Sequence, residues 1–372
     1  MSFLTYAPSV FVIGEEYELL LCLRSHGLLS VRVGDTLYYE ENSGALPTER
    51  TVARVRVPQA ALNAARGYEV IFRAAIDRRA YYSLFEEEER ESYPFSPLPA
   101  KGDIHVYLVA DVHSLFESAA RTVTYFGEEL HLLIAAGDIA EVEREEDFLA
   151  VIDFLGKATG GRLPILMVRG NHDTRGHLAE RFTDYFPADG RKTYYSFDLG
   201  RFVGVVLDCG EDKPDAFQGT DKEGKLLPPS YNGVNIFEAY RRRETEFLRS
   251  LSFPEDGRPR IAVCHIPPAI TTCHKGDIFD IEHEVYAAWN AELERLGIDV
   301  MLSGHLHKIF LAMPDDERNT LPHAYPILVG AWPKNYKSVI GTAITLTDTG
   351  LTYRFTDEEH AVLEEGHLDF VR

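Results

Sequence analysis

Ile165-Leu166-Met167-Val168-Arg169-Gly170-Asn171-His172-Asp173 is the stretch that decides the fold, because an apolar run leads directly into a cluster of polar side chains. The apolar run lacks the alternation of a half-exposed strand, which indicates a strand buried on both faces of an α/β sheet. In such sheets the carboxyl ends of the strands meet at one crevice. The stretch therefore predicts a buried strand that delivers polar side chains to a functional edge of the sheet.

The same pattern recurs along the chain. Further short apolar runs each end at polar residues of ligand type: residues 104–110 before Asp111-Val112-His113, 132–136 before Gly137-Asp138, 261–264 before His265, and 298–302 before Gly304-His305-Leu306-His307. Glycine precedes Asp138, Asn171 and His305, as expected where a chain turns sharply around an ion and needs unusual backbone angles or close approach. Together the segments supply more oxygen and imidazole ligands than one ion can use, which predicts a hydrolase with two metal ions.

The order Asp-x-His, Gly-Asp, Gly-Asn-His-Asp, His, Gly-His-x-His resembles that of the calcineurin-like metallophosphoesterase family, over roughly residues 101 to 357. The resemblance implies a four-layer α/β fold in which a two-sheet β-sandwich is flanked by helices. It also implies two metal ions, the first held by Asp111, His113 and His307, the second by Asn171, His265 and His305, and both bridged by Asp138. His172 and Asp173 are expected to be catalytic: His172 meets the phosphate or protonates the leaving group, and Asp173 orients His172 by a hydrogen bond.

The chemistry of these residue types favours phosphate ester hydrolysis. Carboxylate and imidazole ligands without a thiolate suit Mn, Fe or Zn rather than calcium. Two such ions about 3.5–4 Å apart clamp the attacking and leaving oxygens, and they provide hydroxide at neutral pH. We therefore expect a metal-bound hydroxide to attack the ester of a small phosphorylated molecule in line, most simply a phosphomonoester. Two alternatives stay open: a phosphodiesterase acting on a cyclic nucleotide or a glycerophosphodiester, and a non-catalytic interaction module on the same fold.

The first hundred residues predict a separate domain. Short strand-like runs divided by turn signals such as Gly34-Asp35 indicate a small antiparallel β-sandwich of the fibronectin III kind over residues 1–95. The catalytic domain is expected over residues 96–372, with the acidic, proline-containing residues 86–102 as a linker.

A β-sandwich before such a catalytic domain resembles the arrangement of purple acid phosphatases. That family has a ferric-iron-binding tyrosine, the source of its colour, three residues after the bridging Asp, where this chain has Glu141. We therefore predict a colourless enzyme with two divalent ions rather than a ferric site.

Some residues outside the motifs are weaker candidates for the site. Arg169, Arg175, Lys275 and Lys308 are possible phosphate contacts, and Asp208 and His323 are possible pocket residues, although a surface, turn or loop role suits each of them as well. The polar stretch 208–236 has no clear period and suggests a substrate lid with Tyr231 and Asn232 as contacts. Residues 271–280 suggest a second wall of the site.

Composition limits the class of partner. The chain has 38 basic and 59 acidic residues and a net charge of −21, which disfavours long nucleic acid as a substrate. Its sequence lacks a run of about 18 apolar residues that could span a membrane, and it shows no secretory signal. Four cysteines without metal-ligand spacing suggest reduced thiols and a cytoplasmic protein.

Overall fold

The structure is a computed structural model that describes residues 2–220, 223–225, 233–270 and 283–371. The β-strands are β1 (Ser9–Ile13), β2 (Glu16–Cys22), β3 (Gly27–Val33), β4 (Thr36–Tyr38), β5 (Val52–Pro58), β6 (Gly67–Arg79), β7 (Tyr82–Phe85), β8 (Glu89–Pro94), β9 (Ile104–Val109), β10 (Leu132–Ala136), β11 (Pro164–Val168), β12 (Tyr195–Asp198), β13 (Val203–Leu207), β14 (Arg260–Cys264), β15 (Val300–Ser303), β16 (Lys308–Ala312), β17 (Ile327–Lys334), β18 (Ser338–Leu346), β19 (Gly350–Thr356) and β20 (Val362–Asp369). The α-helices are α1 (Gln59–Ala65), α2 (Phe116–Val123), α3 (Glu145–Thr159), α4 (Phe182–Tyr185), α5 (Phe237–Ser250) and α6 (His283–Arg295).

Two layers of strands carry the strand ends that the sequence singled out. In the first layer, β9, β10 and β11 are parallel neighbours, and β18, β19 and β20 continue it antiparallel. In the second layer, β13, β14, β15 and β17 run parallel, with β12 and β16 antiparallel beside β13 and β17. A short antiparallel pairing of β17 with β18 joins the two layers. The carboxyl ends of β9, β10, β11, β14 and β15 are therefore brought to one region.

Apolar side chains fill the space between the layers and on their outer faces. Leu108, Ile134 and Val168 of the first layer share one buried core with Val263 and Leu302 of the second. A second core lies between the first layer and α2 and α3, and a third lies between the second layer and α5 and α6. Each fully buried side chain of this size stabilises the fold by about 1.5–3 kcal/mol. The order helix, sheet, sheet, helix confirms the predicted four-layer α/β fold.

The N-terminal strands form the expected β-sandwich, and one of its layers is joined to the catalytic sheet. β1, β2 and β5 make one layer, and β3, β4, β6, β7 and β8 make the other. β1 runs parallel to β11, with Val10 opposite Pro164 and Phe11 opposite Ile165. Because hydrogen bonds cross between the two parts, the domain division at residues 95 and 96 stays a prediction.

The expected linker is wrong in part, because residues 89–94 form β8 and pair antiparallel with β6. Most side chains of β8 are exposed or half-buried, so its acidic composition does not oppose strand formation. Arg90, for example, pairs with Glu69 on β6 at 2.9 Å. The strand is held by backbone pairing and by cross-strand charge rather than by an apolar face.

Two expectations from composition can be compared with the structure. Cys22, Cys209 and Cys264 are buried free thiols, as predicted, and Cys273 lies outside the described residues. None of the helices in the described part of the chain is both long enough and apolar enough to cross a membrane.

Candidate metal centre

The ligands predicted for the first ion lie together where β9 and β15 end. The Nε2 atom of His307 is 3.4 Å from Asp111 Oδ1 and 3.2 Å from His113 Nε2. Asp111 is fully buried, and its other oxygen, Oδ2, accepts the backbone N–H of His305 at 2.9 Å. These three side chains form one of the groups of the structure able to hold a metal ion.

The ligands predicted for the second ion lie beside the first group. Asn171 Oδ1 is 3.0 Å from His305 Nδ1, and His265 Nε2 is 3.2 Å from Asp138 Oδ2. The Nδ1–H of His265 donates to the carbonyl of Ala136 at 2.7 Å, which turns Nε2 towards the carboxylates. His265 Nε2 also lies 3.9 Å from Asp111 Oδ1, so the two groups are adjacent.

The spacing of these atoms fits bound metal ions. Ligand atoms about 2.0–2.1 Å from one ion, in tetrahedral or octahedral arrangement, lie about 2.9–3.4 Å apart. Two atoms of the cluster, Asp111 Oδ1 and His265 Nε2, are buried and have no hydrogen-bond partner among the described residues. An unpaired buried polar atom costs about 1–3 kcal/mol. A cation between these atoms would remove that cost, so the residues present fit a metal centre.

The backbone is strained at most of the predicted ligands. The left-handed φ values are 50° at Asp111, 44° at His113, 53° at Asp138, 69° at His305 and 50° at His307. Each such residue costs on the order of 1–3 kcal/mol and persists only where the surrounding structure holds it, typically at functional sites. The strain therefore supports a functional role for these turns.

The three glycines before the motifs serve different purposes. Gly137 has a φ of 88°, which an L side chain rarely adopts. A Cβ atom on Gly170 would lie 2.1 Å from Asp138 Oδ1, and one on Gly304 would lie 2.7 Å from Asp111 Oδ2. The expected unusual angle thus applies to Gly137 alone of the three, and the expected close approach applies to all three, since a Cβ atom on Gly137 would lie 2.7 Å from Gly170 Cα.

His172 lies beside the cluster, in a 3₁₀ helix of residues His172–Thr174. Its backbone N–H donates to Asp138 Oδ1 at 2.8 Å, and its Nδ1–H donates to Glu141 Oε2 at 2.9 Å. Its Nε2 lies 4.0 Å from Asp138 Oδ2 and 3.0 Å from Arg175 Nη1. The ring therefore directs one nitrogen to the metal cluster and is held by Glu141 through the other.

The predicted partner of His172 is wrong. Asp173 was expected to orient this ring, but its Oδ2 accepts the backbone N–H groups of Asp138 at 2.9 Å and Gly170 at 2.8 Å. Its side chain turns into the interior, since only 2% of Asp173 is exposed. Asp173 thus fastens the β10 and β11 turns to each other, while Glu141 takes the orienting position.

Charges within the cluster shift the pKa values of its members. Burial opposes a charge on His265, but Asp138 and Asp111 outweigh it and raise the pKa of His265 to about 10. Burial alone would raise the pKa of Asp138, but the neighbouring His265 and His172 lower it below its usual range. Burial and the nearby His265 lower the pKa of His305 to about 4. The buried carboxylates thus attract positive charge to this point, as a metal centre requires.

Acidic groups beside the cluster are shifted too. Hydrogen bonds from His113 and His172 lower the pKa of Glu141 to about 2. Burial and the charge of Asp138 raise the pKa of Asp173 to about 7. Burial would lower the pKa of His172, but its hydrogen bond to Glu141 and the charge of Asp138 raise it overall. His172 is therefore favoured in its protonated form, in contrast to His305.

Three of the weaker candidates have structural roles. Arg169 Nη2 lies 2.6 Å from Asp208 Oδ2, and its guanidinium lies 5.5 Å from the centre of the Phe237 ring. Asp208 Oδ1 accepts the N–H of Gly210 at 2.8 Å, which is the turn role considered for it. His323 donates from Nδ1 to the carbonyl of Tyr325 at 2.6 Å and thus has the loop role considered for it.

The remaining candidates divide between the site and regions beyond it. Arg175 contacts His172, and Glu211 holds its guanidinium through two oxygens at 2.6 and 2.7 Å. Lys308 is exposed at the start of β16. Lys275, Tyr231, Asn232 and the stretch 271–280 lie outside the described residues.

Sequence reasoning missed Tyr336 and understated Glu141. Tyr336 lies in the turn between β17 and β18, where its hydroxyl is 3.3 Å from His307 Nδ1 and its ring is 5.8 Å from that of His113. No local pattern marks this turn as part of the site. The sequence did mark Glu141, because it stands three residues after Asp138. That position was used only to infer that a tyrosine ligand is absent.

Comparison with known proteins agrees with this geometry. Residues 104–309, more than half of the chain, match the family model of calcineurin-like phosphoesterases. The structure of a purple acid phosphatase, PPD1, from yellow lupin (Lupinus luteus) seeds is similar with a TM-score of 0.59 at 12% identity, covering 98% of this chain and 74% of that one. The structure of PhoD is similar with a TM-score of 0.53 at 11% identity, covering 99% of this chain and 90% of that one.

These structural likenesses show the fold, and the family match shows the relationship. No curated protein sequence matches the chain significantly. The family implies a dinuclear centre of divalent ions, and the cluster around Asp138 offers the groups to bind it. The chain belongs to the calcineurin-like phosphoesterase family and is a metal-dependent phosphoric ester hydrolase.

Proposed function

We propose that the chain hydrolyses a phosphomonoester of a small molecule at this centre. Asp111, His113 and His307 would hold one divalent ion, Asn171, His265 and His305 would hold the other, and Asp138 would bridge them. When bound, the ions neutralise phosphoryl charge and lower the pKa of water. Mn, Fe and Zn suit this mixture of carboxylate, amide and imidazole ligands. The proposed roles give every buried polar atom of the cluster a partner.

The observation that carries the proposal is the position of His172 at one side of the ligand cluster, 4.0 Å from Asp138 Oδ2 through Nε2. Its hydrogen bond to Glu141 favours the imidazolium form, which can give its Nε2 proton to the oxygen of the departing alcohol. The ring that has lost this proton can then accept from Arg175 Nη1, 3.0 Å away. The charge of Arg175 opposes the protonated ring and so favours loss of the proton, whereas Glu141 and Asp138 favour the protonated ring and raise the pKa of His172 overall.

A monoester suits the surroundings of His172. A phosphomonoester has a single ester substituent, and a cleft lined in part by Arg175 lies beside His172 to receive it. The net charge of −21 disfavours a long polyanion as the group attached there. Small phosphorylated molecules are therefore the proposed substrates.

The first test compares 4-nitrophenyl phosphate with bis(4-nitrophenyl) phosphate on protein loaded with manganese, with the bound metal measured. We expect a strong preference for the monoester. A preference for the diester would replace the proposal with a phosphodiesterase. Two bound ions with no hydrolysis of either ester would overturn the catalytic proposal and favour an interaction module. The Asp138→Asn variant, prepared in parallel, controls for contaminating phosphatases.

A further inference from the structure

A cleft of about 630 Å³ adjoins His172 and is lined in part by four arginines. Arg175 lies at the edge nearest the metal cluster, since its Nη1 contacts His172 Nε2 at 3.0 Å. Arg169, Arg191, Arg243 and His177 also line the cleft, and Glu180 is the acidic residue in its wall. Such a concentration of cations stands out in a chain with 59 acidic and 38 basic residues.

The four arginines of the cleft differ in how their charge is balanced. Arg169 is paired with Asp208, and Arg175 is paired with Glu211 and Asp212. Those pairings hold the two guanidinium groups in fixed positions and offset their charges. These pairings do not involve the other two arginines, Arg191 and Arg243.

Arg191 and Arg243 form no ion pair with any residue that the structure describes. Both are exposed, and they come from separate segments: Arg191 from the turn before β12, and Arg243 from α5. The Arg243 guanidinium lies 5.6 Å from the centre of the Tyr240 ring, which also lines the cleft. Two guanidinium groups in the wall of one cleft, with no ion-pair partner among the described residues, are suited to a carboxylate or a phosphate group, which each can bind through paired N–H donors.

Part of the lining is apolar. Ile236 is 69% exposed and adjoins Phe237 and Tyr240 in the cleft wall. An exposed aliphatic side chain beside two rings offers contact to the carbon skeleton of a bound molecule. The cleft therefore suits a ligand that combines an apolar body with a negative charge.

We propose that this cleft receives the leaving group of the substrate, and that Arg191 and Arg243 bind a second anionic group carried on it. The substrate class is thus a phosphomonoester of a small, partly apolar hydroxy compound that bears a further carboxylate or phosphate. The inference rests on the proposed function, because it places the departing alcohol on the side of His172. It goes beyond that function because it names Arg191 and Arg243 as the residues that select the substrate.

The test compares phenyl phosphate with 3-carboxyphenyl phosphate. The two esters share a ring and differ by one charge, and a carboxylate in the meta position changes the acidity of the leaving phenol little. Wild-type enzyme is expected to prefer the carboxylate ester in kcat/KM by roughly tenfold, the effect of one charge-assisted hydrogen bond. The preference should shrink as salt is raised, because the cations are exposed.

Substitutions distinguish binding of the carboxylate at this cleft from an effect of the overall charge of the protein. Arg191→Gln with Arg243→Gln should abolish the preference while leaving kcat/KM for phenyl phosphate within about twofold, since neither residue touches the metal cluster. Lys192→Gln is the matched control: it removes an exposed cation next to Arg191 that is outside the cleft and near Asp189 at 3.8 Å. Melting temperatures establish that each variant is folded.

The outcomes distinguish this inference from the proposed function. Equal rates on the two esters, or a preference that survives the double substitution, would overturn the anion subsite and leave the phosphomonoesterase standing. If neither ester is hydrolysed, the affinity of the metal-loaded protein for each is measured by calorimetry. Tighter binding of the carboxylate ester that depends on the two arginines would then retain the subsite while the proposed function fails. Equal binding would overturn both.

Discussion

Glu141 holds the ring of His172 through a hydrogen bond in which Nδ1 lies 2.9 Å from Oε2. The other oxygen of the same carboxylate accepts from His113 Nδ1 at 2.9 Å. One side chain thus fixes a proposed metal ligand and the proposed acid, and in both rings Nε2 is left facing the cluster. The position three residues after Asp138 is thus used to orient two imidazoles.

Replacing Glu141 by Gln tests this orienting role. Burial opposes the charge on His172, and the hydrogen bond to Glu141 raises its pKa despite that. The raised pKa keeps the imidazole protonated to higher pH, so loss of the carboxylate charge should move the alkaline limb of the kcat/KM profile to lower pH. We expect kcat/KM to fall by roughly 10–100-fold, as for other partners of metal-site histidines.

The control for that variant is Glu143→Gln, which removes an equal charge from an exposed position nearby. Its pH profile should match the wild type. An alkaline limb that stays in place in the Glu141 variant, with both metals bound, would show that Glu141 does not set the protonation of His172.

The acid role of His172 predicts an effect that depends on the leaving group. His172→Ala should keep both metal ions and lower kcat on phenyl phosphate by roughly 10²–10⁴-fold. The loss on 4-nitrophenyl phosphate should be much smaller, because that leaving group departs without a proton. Steady-state rates on the two esters and metal analysis by mass spectrometry provide the measurement.

His26→Ala, at an exposed position outside the cleft and the ligand cluster, is the control for His172→Ala. His172 also forms a potential metal-binding group with His113 and Asp138. Loss of an ion from the His172 variant would therefore identify the residue as a ligand and refute its role as an acid.

The bridging role of Asp138 predicts that both ions depend on one carboxylate. Asp138→Asn keeps the shape of the side chain but removes its charge, so the two ions should be lost together rather than one at a time. Metal content per chain after dialysis is the measurement, and Asp184→Asn, at a side chain that is 62% exposed, is the control. Retention of two ions would show that the bridge lies elsewhere.

The positions of the ligands could be predicted because the signals are local. An apolar run that ends in Asp111 or Asp138 is visible within a few residues, and the rule that parallel strands end at a common edge brings such turns together. The resemblance added the pairing of distant segments, such as His265 with Asp138. In the structure His265 Nε2 lies 3.2 Å from Asp138 Oδ2, and their shared role as metal ligands stays a proposal.

The hydrogen-bond partners could not be predicted in the same way. Whether Asp173 or Glu141 reaches His172 depends on which direction each side chain takes from a turn, and adjacency in sequence favoured the wrong residue. Asp173 is drawn inward by two backbone N–H groups that carry no signature in the sequence. Pairing of β1 with β11 is missed for the same reason, because it is made by the backbones of strands more than a hundred residues apart.

The cationic cleft is a third feature that the sequence did not predict. Arg191 and Arg243 each look like ordinary surface residues, since nothing near them in the sequence indicates a site. Only packing of α5 against the loop after β11 brings them to the same cleft as Arg175. Specificity determinants of this kind require the tertiary structure.

A buried carboxyl group outside the metal centre makes the stability of the fold depend on pH. Glu244 is fully buried on α5, where Oε1 accepts the N–H of Asp208 at 2.8 Å and Oε2 has no hydrogen-bond partner in the described part of the chain. Burial and the charge of Asp208 raise the pKa of Glu244 well above its usual value. A raised folded pKa means that the protonated form stabilises the fold. That contribution is complete below the unfolded pKa of about 4.3 and is lost as pH rises through the folded pKa.

Glu244→Gln retains the accepting oxygen and removes the titration, so its effect should grow with pH. We expect the melting temperature of the variant, measured by calorimetry, to be close to that of the wild type at pH 5 and higher by about 2 °C or more at pH 8. Glu246→Gln on the same helix, with a side chain that is 69% exposed, should differ from the wild type by the same amount at both pH values. If the Glu244 variant also shows a constant difference, the carboxyl group is ionised in the folded protein at pH 5, and Arg169, close to Asp208, compensates its charge more fully than the hydrogen bonds indicate.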